Sequence, residues 1–279
     1  MKILVTGANG YLGRGIVKQL LDNGHQVIAT DLNMDLSDSR LTLKECNIFD
    51  VEAPFEFFER PEVLLHLALR NGFIHNSDSH IMDLPKHYSF IKSMVSSGVS
   101  KVAVMGTMHE IGFYEGSINE NTPCHPLNLY GISKDALRNM VQLLAANENT
   151  LFQWLRGYYI VGNSKFGNSI FSKITEAEKE GKTKFPFTLG QNQYDFIDYD
   201  EFCFQVAAAV GQSEINGIIN IASGKPEKLS DRVEKFIKAN NYSIKLSYGE
   251  FPDRPYDSKA VWADNTKIQN IIQNNNFML

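Results

Sequence analysis

Two short runs in this chain of 279 residues carry residue types whose spacing could do chemistry. In Tyr130-Gly131-Ile132-Ser133-Lys134, the tyrosine and the lysine stand at i and i+4, one above the other on a helix face. An ammonium beside a phenol favours the phenolate. The pair therefore predicts a Tyr130 pKa below the ordinary value of about 10, and a group able to exchange a proton with a carbinol. The second run is Thr6-Gly7-Ala8-Asn9-Gly10-Tyr11-Leu12-Gly13, with a glycine at every third position. It lies between an apolar run, Ile3-Leu4-Val5, and apolar positions at helical spacing, Leu12, Ile16 and Leu20. A strand, a glycine turn and a helix in that order let the backbone approach a pyrophosphate, whose charge meets the helix N–H groups and dipole. Asp31 closes the next apolar run about 20 residues further on, where a carboxylate accepts from a ribose diol and repels a 2′-phosphate. NAD is the expected cofactor, with NADP as the alternative.

The elements that must hold these groups alternate along the chain. Strands are expected at Gln26–Asp31, Leu41–Ile48, Val63–Ala68, Lys101–Met105, Phe152–Ile160, Gly217–Ala222 and Ser243–Tyr248. A helix is expected to start at Asp83-Leu84-Pro85, with proline in its first turn, and to end at Gly98. The tyrosine helix should turn Ala136, Leu137, Met140, Leu143 and Leu144 inward. Later helices are expected at Asn168–Glu180, at Phe202–Val210 behind an Asp198/Glu201 capping signature, at Val233–Ala239 and at Lys267–Gln273. This alternation predicts an α/β fold, a Rossmann-type doubly wound parallel sheet. A smaller C-terminal substrate-binding lobe would be woven from segments that leave and re-enter the first. Residues 1–161 and 192–222 are assigned to the dinucleotide domain, and 162–191 and 223–279 to the second lobe.

Composition excludes several alternatives. A net charge of −5 without a lysine or arginine run argues against nucleic acid. The three cysteines, Cys46, Cys124 and Cys203, lie too far apart for a CxxC, so no metal is expected. No apolar run reaches membrane-spanning length and no leader is evident, so the expectation is a cytoplasmic protein away from membranes. His66, closing an apolar strand, reads as a satisfied core histidine.

The chain resembles the extended short-chain dehydrogenase/reductases that act on nucleotide sugars. The resemblance rests on the glycine run, His66-Leu67-Ala68, the tyrosine–lysine run, Tyr194-Asp195-Phe196-Ile197-Asp198, and Arg254-Pro255-Tyr256-Asp257 followed by Val261-Trp262-Ala263-Asp264. It implies that Gly7, Asn9, Gly10, Tyr11, Leu12 and Gly13 cradle the pyrophosphate, that Asp31 holds the ribose, and that Asn47 and Ile48 meet the adenine. Leu67 and Ala68 would line the nicotinamide side. Thr107, Tyr130 and Lys134 would be catalytic, with Tyr130 and Lys134 also touching the cofactor. His109, Asn168, Tyr194 and Arg254 would face the substrate, Arg254 gripping its diphosphate. The family's dehydratases carry an Asp and a Glu after the catalytic Thr, and here Met108 and His109 stand there, which argues against dehydration. The resemblance thus implies redox at one carbon: a C4 reductase of a nucleotide-linked 4-keto-6-deoxysugar. The alternatives are a C4 epimerase that retains NAD and, in another class, a non-catalytic dinucleotide sensor or scaffold. A homodimer through the helices Asp83–Ser97 and Tyr130–Asn147 is also implied.

Overall fold

The structure, a computed structural model, describes residues 1–162, 169–252 and 258–274. Four-residue to seven-residue apolar runs form the buried strands, and glycines at positive φ (Gly24, Gly98, Gly181) follow the helices that they end. In chain order the elements of the first half are β1 (Lys2–Thr6), α1 (Tyr11–Asp22), β2 (Gln26–Asp31), β3 (Leu41–Glu45), α2 (Pro54–Phe57), β4 (Val63–His66), α3 (Ser79–Ser96), β5 (Lys101–Thr107), β6 (Gly116–Ile118) and α4 (Leu129–Asn147). The second half runs β7 (Leu151–Gly157), β8 (Tyr159–Val161), α5 (Ile170–Lys179), β9 (Lys184–Phe187), β10 (Gln193–Asp198), α6 (Tyr199–Val210), β11 (Gly217–Ile221), β12 (Pro226–Lys228), α7 (Leu229–Ala239), β13 (Lys245–Tyr248), β14 (Ala260–Ala263) and α8 (Thr266–Asn274).

Seven strands form one all-parallel sheet in the order β11-β7-β5-β4-β1-β2-β3. One face packs on α1, α6 and α8, the other on α2, α3 and α4. Strand order reverses between β1 and β4, and the crevice beyond the carboxyl ends of those strands is where such sheets bind ligands. A second sheet, β12-β10-β14-β6 with β8 on β10, draws short strands from distant parts of the chain, and β9 pairs with β13. Asp195, buried on β10, ties this region together. Its carboxylate accepts the N–H groups of Ser223 (2.9 Å), Gly224 (2.9 Å) and Ala263 (3.0 Å).

Several local expectations need correction. α3 begins at Ser79, so Pro85 lies inside the helix. Tertiary contacts set that start: buried His80 packs on Tyr130, and the Tyr130 N–H donates to the His75 carbonyl just upstream (2.8 Å). Leu143 is 65% exposed, because the buried stripe of α4 runs through Leu137, Val141, Leu144 and Ala145. The strand expected over Phe152–Ile160 breaks at Tyr158 into β7 and β8, which belong to different sheets. Asp198 stands at the start of α6 without a side-chain cap bond, since its carboxylate pairs with Arg232. Among the described residues, no helix is long and apolar enough to cross a membrane.

Candidate active site

The carboxyl ends of β1, β4, β5 and β7 open into a cleft of about 970 Å³, at the upper end of small-molecule sites. One wall is the glycine turn. Gly7 has φ +69°, and a Cβ on Gly13 would lie 2.2 Å from the Gly7 carbonyl oxygen, so only glycine closes this turn. α1 starts from Gly10 without a side-chain cap, which leaves its first-turn N–H groups turned to the cleft. Asp31 stiffens the turn by accepting the Asn9 N–H (3.0 Å) and the Leu32 N–H (2.8 Å). The nearby guanidinium of Arg14 is held by Asp35 and the Asn9 carbonyl. These features fit a dinucleotide: an uncapped helix start for its phosphates, and a carboxylate without a spare cation for an unphosphorylated ribose.

The turn is also fastened from far along the chain. The Tyr11 hydroxyl donates to the Gly162 carbonyl (3.3 Å), and the Tyr199 hydroxyl donates to the Tyr11 carbonyl (2.6 Å) while accepting the Gly15 N–H (3.1 Å). Asn47, Ile48, Leu67 and Ala68 line the same side of the cleft. Asn9 does not: its side chain turns outward and accepts the Asp35 N–H.

Opposite the turn, Thr107 ends β5 and α4 presents Tyr130 and Lys134. Thr107 and Tyr130 line the cleft together, and the Thr107 side chain is close enough to act on the phenol; its hydroxyl accepts the His109 N–H (3.3 Å). Lys134 is buried and donates to the Met105 carbonyl (2.7 Å), and burial lowers its pKa to about 8. Burial pushes the Tyr130 phenol up to about 12, against a smaller opposing effect of the Thr107 side chain. This corrects the expectation of a lysine-lowered phenol: desolvation disfavours both charges, and the ammonium is spent on a carbonyl. Tyr130 is thus a neutral proton donor in this state.

His109 lines the cleft beside Tyr130, and burial lowers its pKa to about 4. His75 stacks on the Tyr130 ring (centroids 5.5 Å, 16° between planes) and meets His109 at 4.4 Å. Nothing in the sequence marks His75, which reaches the site only through the loop before α3. Tyr194 lines the cleft from β10. Asn168 and Arg254 lie outside the described residues. His66 is buried away from the cleft, its Nδ1 hydrogen-bonded to Thr6 Oγ1 (2.9 Å) and its Nε2 to His87 Nδ1 (2.8 Å). The residue most plainly missed from sequence is Glu110, buried directly behind Thr107.

Residues 3–222 match the NAD dependent epimerase/dehydratase family. The chain is 43% identical over 268 residues to a dTDP-6-deoxy-L-talose 4-dehydrogenase (NAD(+)) of Aggregatibacter actinomycetemcomitans, covering 94% of this chain and 99% of that protein. Its fold is similar to the UDP-glucuronic acid 4-epimerase of Bacillus cereus, solved with UDP-glucuronic acid and NAD (TM-score 0.80, 20% identity, 98% and 93% of the two chains). It is also similar to the UDP-glucose 4-epimerase of Thermotoga maritima, solved with UDP-glucose (TM-score 0.79, 22% identity, 97% and 92%).

Proposed function

The chain belongs to the NAD dependent epimerase/dehydratase family, and from that membership we propose an NAD-dependent oxidoreductase acting at C4 of a nucleotide-linked 6-deoxyhexose. In one direction it oxidises the C4 alcohol, and in the other it reduces the 4-keto sugar. The observation that carries this reading is that Thr107, Tyr130 and Lys134 line one cleft with the glycine turn, with no carboxylate at positions 108 and 109. That set can move one proton at one carbinol, which is all that redox at C4 requires. The 43% identity to a talose 4-dehydrogenase supports the sugar class.

Gly7, Gly10, Tyr11, Leu12 and Gly13 would hold the dinucleotide phosphates, Asp31 its adenosine ribose, Asn47 and Ile48 the adenine, and Leu67 and Ala68 the nicotinamide side. When bound, NAD supplies the acceptor or donor of the hydride. Thr107 hydrogen-bonds the reacting oxygen and fixes its distance from the Tyr130 hydroxyl. In reduction, Tyr130 gives its proton to the oxygen that becomes the C4 hydroxyl; in oxidation, the phenolate takes it back. Lys134, already oriented by Met105, steadies the phenolate when it forms. His75 and His109, both held neutral by burial, offer uncharged donors and acceptors to the sugar, and Tyr194 closes its far side. We also propose a homodimer through α3 and α4, whose outer surfaces expose Met82 (67%) and Leu143 (65%).

The test mixes the purified protein with dTDP-6-deoxy-L-talose and NAD+ and follows NADH together with the 4-keto product. Equal yields of both are expected. Tightly retained NAD with interconversion of C4 epimers and no net NADH would replace this reading with an epimerase. Dinucleotide binding without turnover of any sugar nucleotide would replace it with a sensor.

A further inference from the structure

Behind Thr107 lies an ionic centre, fully buried at Glu110 and Arg156, that the reaction does not use directly. The Glu110 carboxylate accepts the Thr107 N–H through Oε1 at 2.6 Å. The Trp154 indole N–H reaches both of its oxygens at 2.9 Å. Arg156, 0% exposed, approaches Oε2 at 3.5 Å through Nε, and Arg138 does so at 3.9 Å. Arg138 is also bound to Asp135 (2.6 Å), so two carboxylates and two guanidiniums cancel. Nε and Nη2 of Arg156 have no hydrogen-bond partner, so its charge depends on Glu110. The packing is tight enough that a Cβ on Gly106 would meet the Trp154 indole nitrogen at 2.1 Å and Glu110 Oε1 at 2.7 Å.

These contacts join the three elements around the reacting groups. Thr107 ends β5, Arg138 shares α4 with Tyr130 and Lys134, and Trp154 and Arg156 lie on β7. We propose that Glu110 is the positioning residue of the active site: its carboxylate holds the Thr107 backbone, and so the Thr107 hydroxyl beside Tyr130, by clamping β5, α4 and β7 around one charge. The proposal rests on the oxidoreductase reading above. Burial raises the pKa of Glu110 itself, against the pull of Arg156 and its hydrogen bonds; as a carboxylate it adds to the upward shift of Tyr130 and opposes the larger, burial-driven lowering of Lys134. The other groups facing the centre are Cys124 against Arg138, Tyr158 beside Arg156, and Asp195 beyond Tyr158. A glutamine at 110 has a single acceptor for both Thr107 and Trp154, and its amide N–H groups would face two guanidiniums.

The test compares the full-length protein with Glu110→Gln, using dTDP-6-deoxy-L-talose and NAD+. For Glu110→Gln, kcat should fall between about ten-fold and a hundred-fold, with both KM values within about two-fold. The rising limb of kcat against pH should move to lower pH, because a negative charge near the phenol is gone. A second variant, Glu110→Gln with Arg156→Met, removes both buried charges and restores the net charge near the phenol, so it should recover thermal stability and move the pH limb back without recovering kcat. Wild-type kcat and an unmoved limb in Glu110→Gln, or full recovery of kcat in the double variant, would overturn the proposal. Two readouts are independent of turnover: hydrogen exchange at the Thr107 amide and the Trp154 indole N–H resonance, one of only two in the chain. In Glu110→Gln, the amide should lose protection and the indole signal should shift, while amides of β1 and β2 stay as they were. If the wild-type protein does not turn over this substrate, the functional reading fails separately, and an unchanged Thr107 amide then overturns the role of Glu110.

Discussion

Beneath the glycine turn, the Thr6 hydroxyl accepts the Ala68 N–H and links through His66 to His87, a chain of uncharged groups in which burial holds both imidazoles neutral. Beneath Tyr130, the support is ionic, centred on Glu110 and Arg156. The surfaces above differ in the same sense. The wall facing a dinucleotide is built from backbone, and its limits are set by where a Cβ would collide. The wall around Tyr130, which the proposed function gives to the sugar, is built from side chains, each contributing one donor, acceptor or ring. A site of the first kind fails when an atom is added, and a site of the second kind fails when one is taken away.

That contrast can be broken by substitution. Tyr130→Phe should lower kcat by about 10³-fold, within the range for a lost acid–base group, while NAD affinity measured by titration calorimetry stays within about two-fold. Gly13→Ala should do the opposite. The added methyl must displace the Gly7 carbonyl, so NAD affinity should fall by about a hundred-fold and the melting temperature with it. A loss of kcat without loss of NAD affinity in this variant would erase the distinction between the walls. Asp31→Asn sharpens it more gently: NADP use should rise relative to NAD by about ten-fold, read as a ratio of kcat/KM values, because a repelling charge is gone.

The smallest effect concerns the neutral support. Burial depresses the His87 pKa from 6.5 to about 4, and His66 lies well below its ordinary value. The unfolded chain therefore binds protons that the folded chain refuses. The resulting stability is fully present above about pH 6.5 and is lost as pH falls toward 4. His87→Phe should lower the denaturant midpoint at pH 7, because His66 Nε2 loses its buried partner, and should flatten the further decline between pH 6.5 and 4. A decline as steep as that of the parent protein would show that other groups carry it.

The backbone-built wall was the more legible in sequence. A turn that admits only glycine at Gly7 and Gly13, and a carboxylate at the end of β2, declare themselves by residue type and short spacing. Tyr130 and Lys134 declare themselves by helical spacing, but their protonation does not, since it depends on burial supplied by β5 and the loop before α3. Glu110 had one local signal, the Thr-x-x-Glu capping box that it forms with Thr107, but its partners Trp154 and Arg156 are more than 40 residues away and no short pattern joins them to it. Asp198 misled in the reverse way: a good capping pattern at α6 yielded to an arginine from α7. The short strands β6, β8, β12 and β14 exist only as partners across the second sheet, so their own residues carry almost no period.

The fastening of Tyr11 by Gly162 and Tyr199 has a consequence for biosynthesis. The dinucleotide motif leaves the ribosome within the first thirteen residues, yet the bonds that brace it span 151 and 188 positions. During translation it must wait, unbraced, until α6 has emerged. Nascent chains stopped before residue 199 should therefore capture NAD poorly, although every phosphate-facing residue has been made.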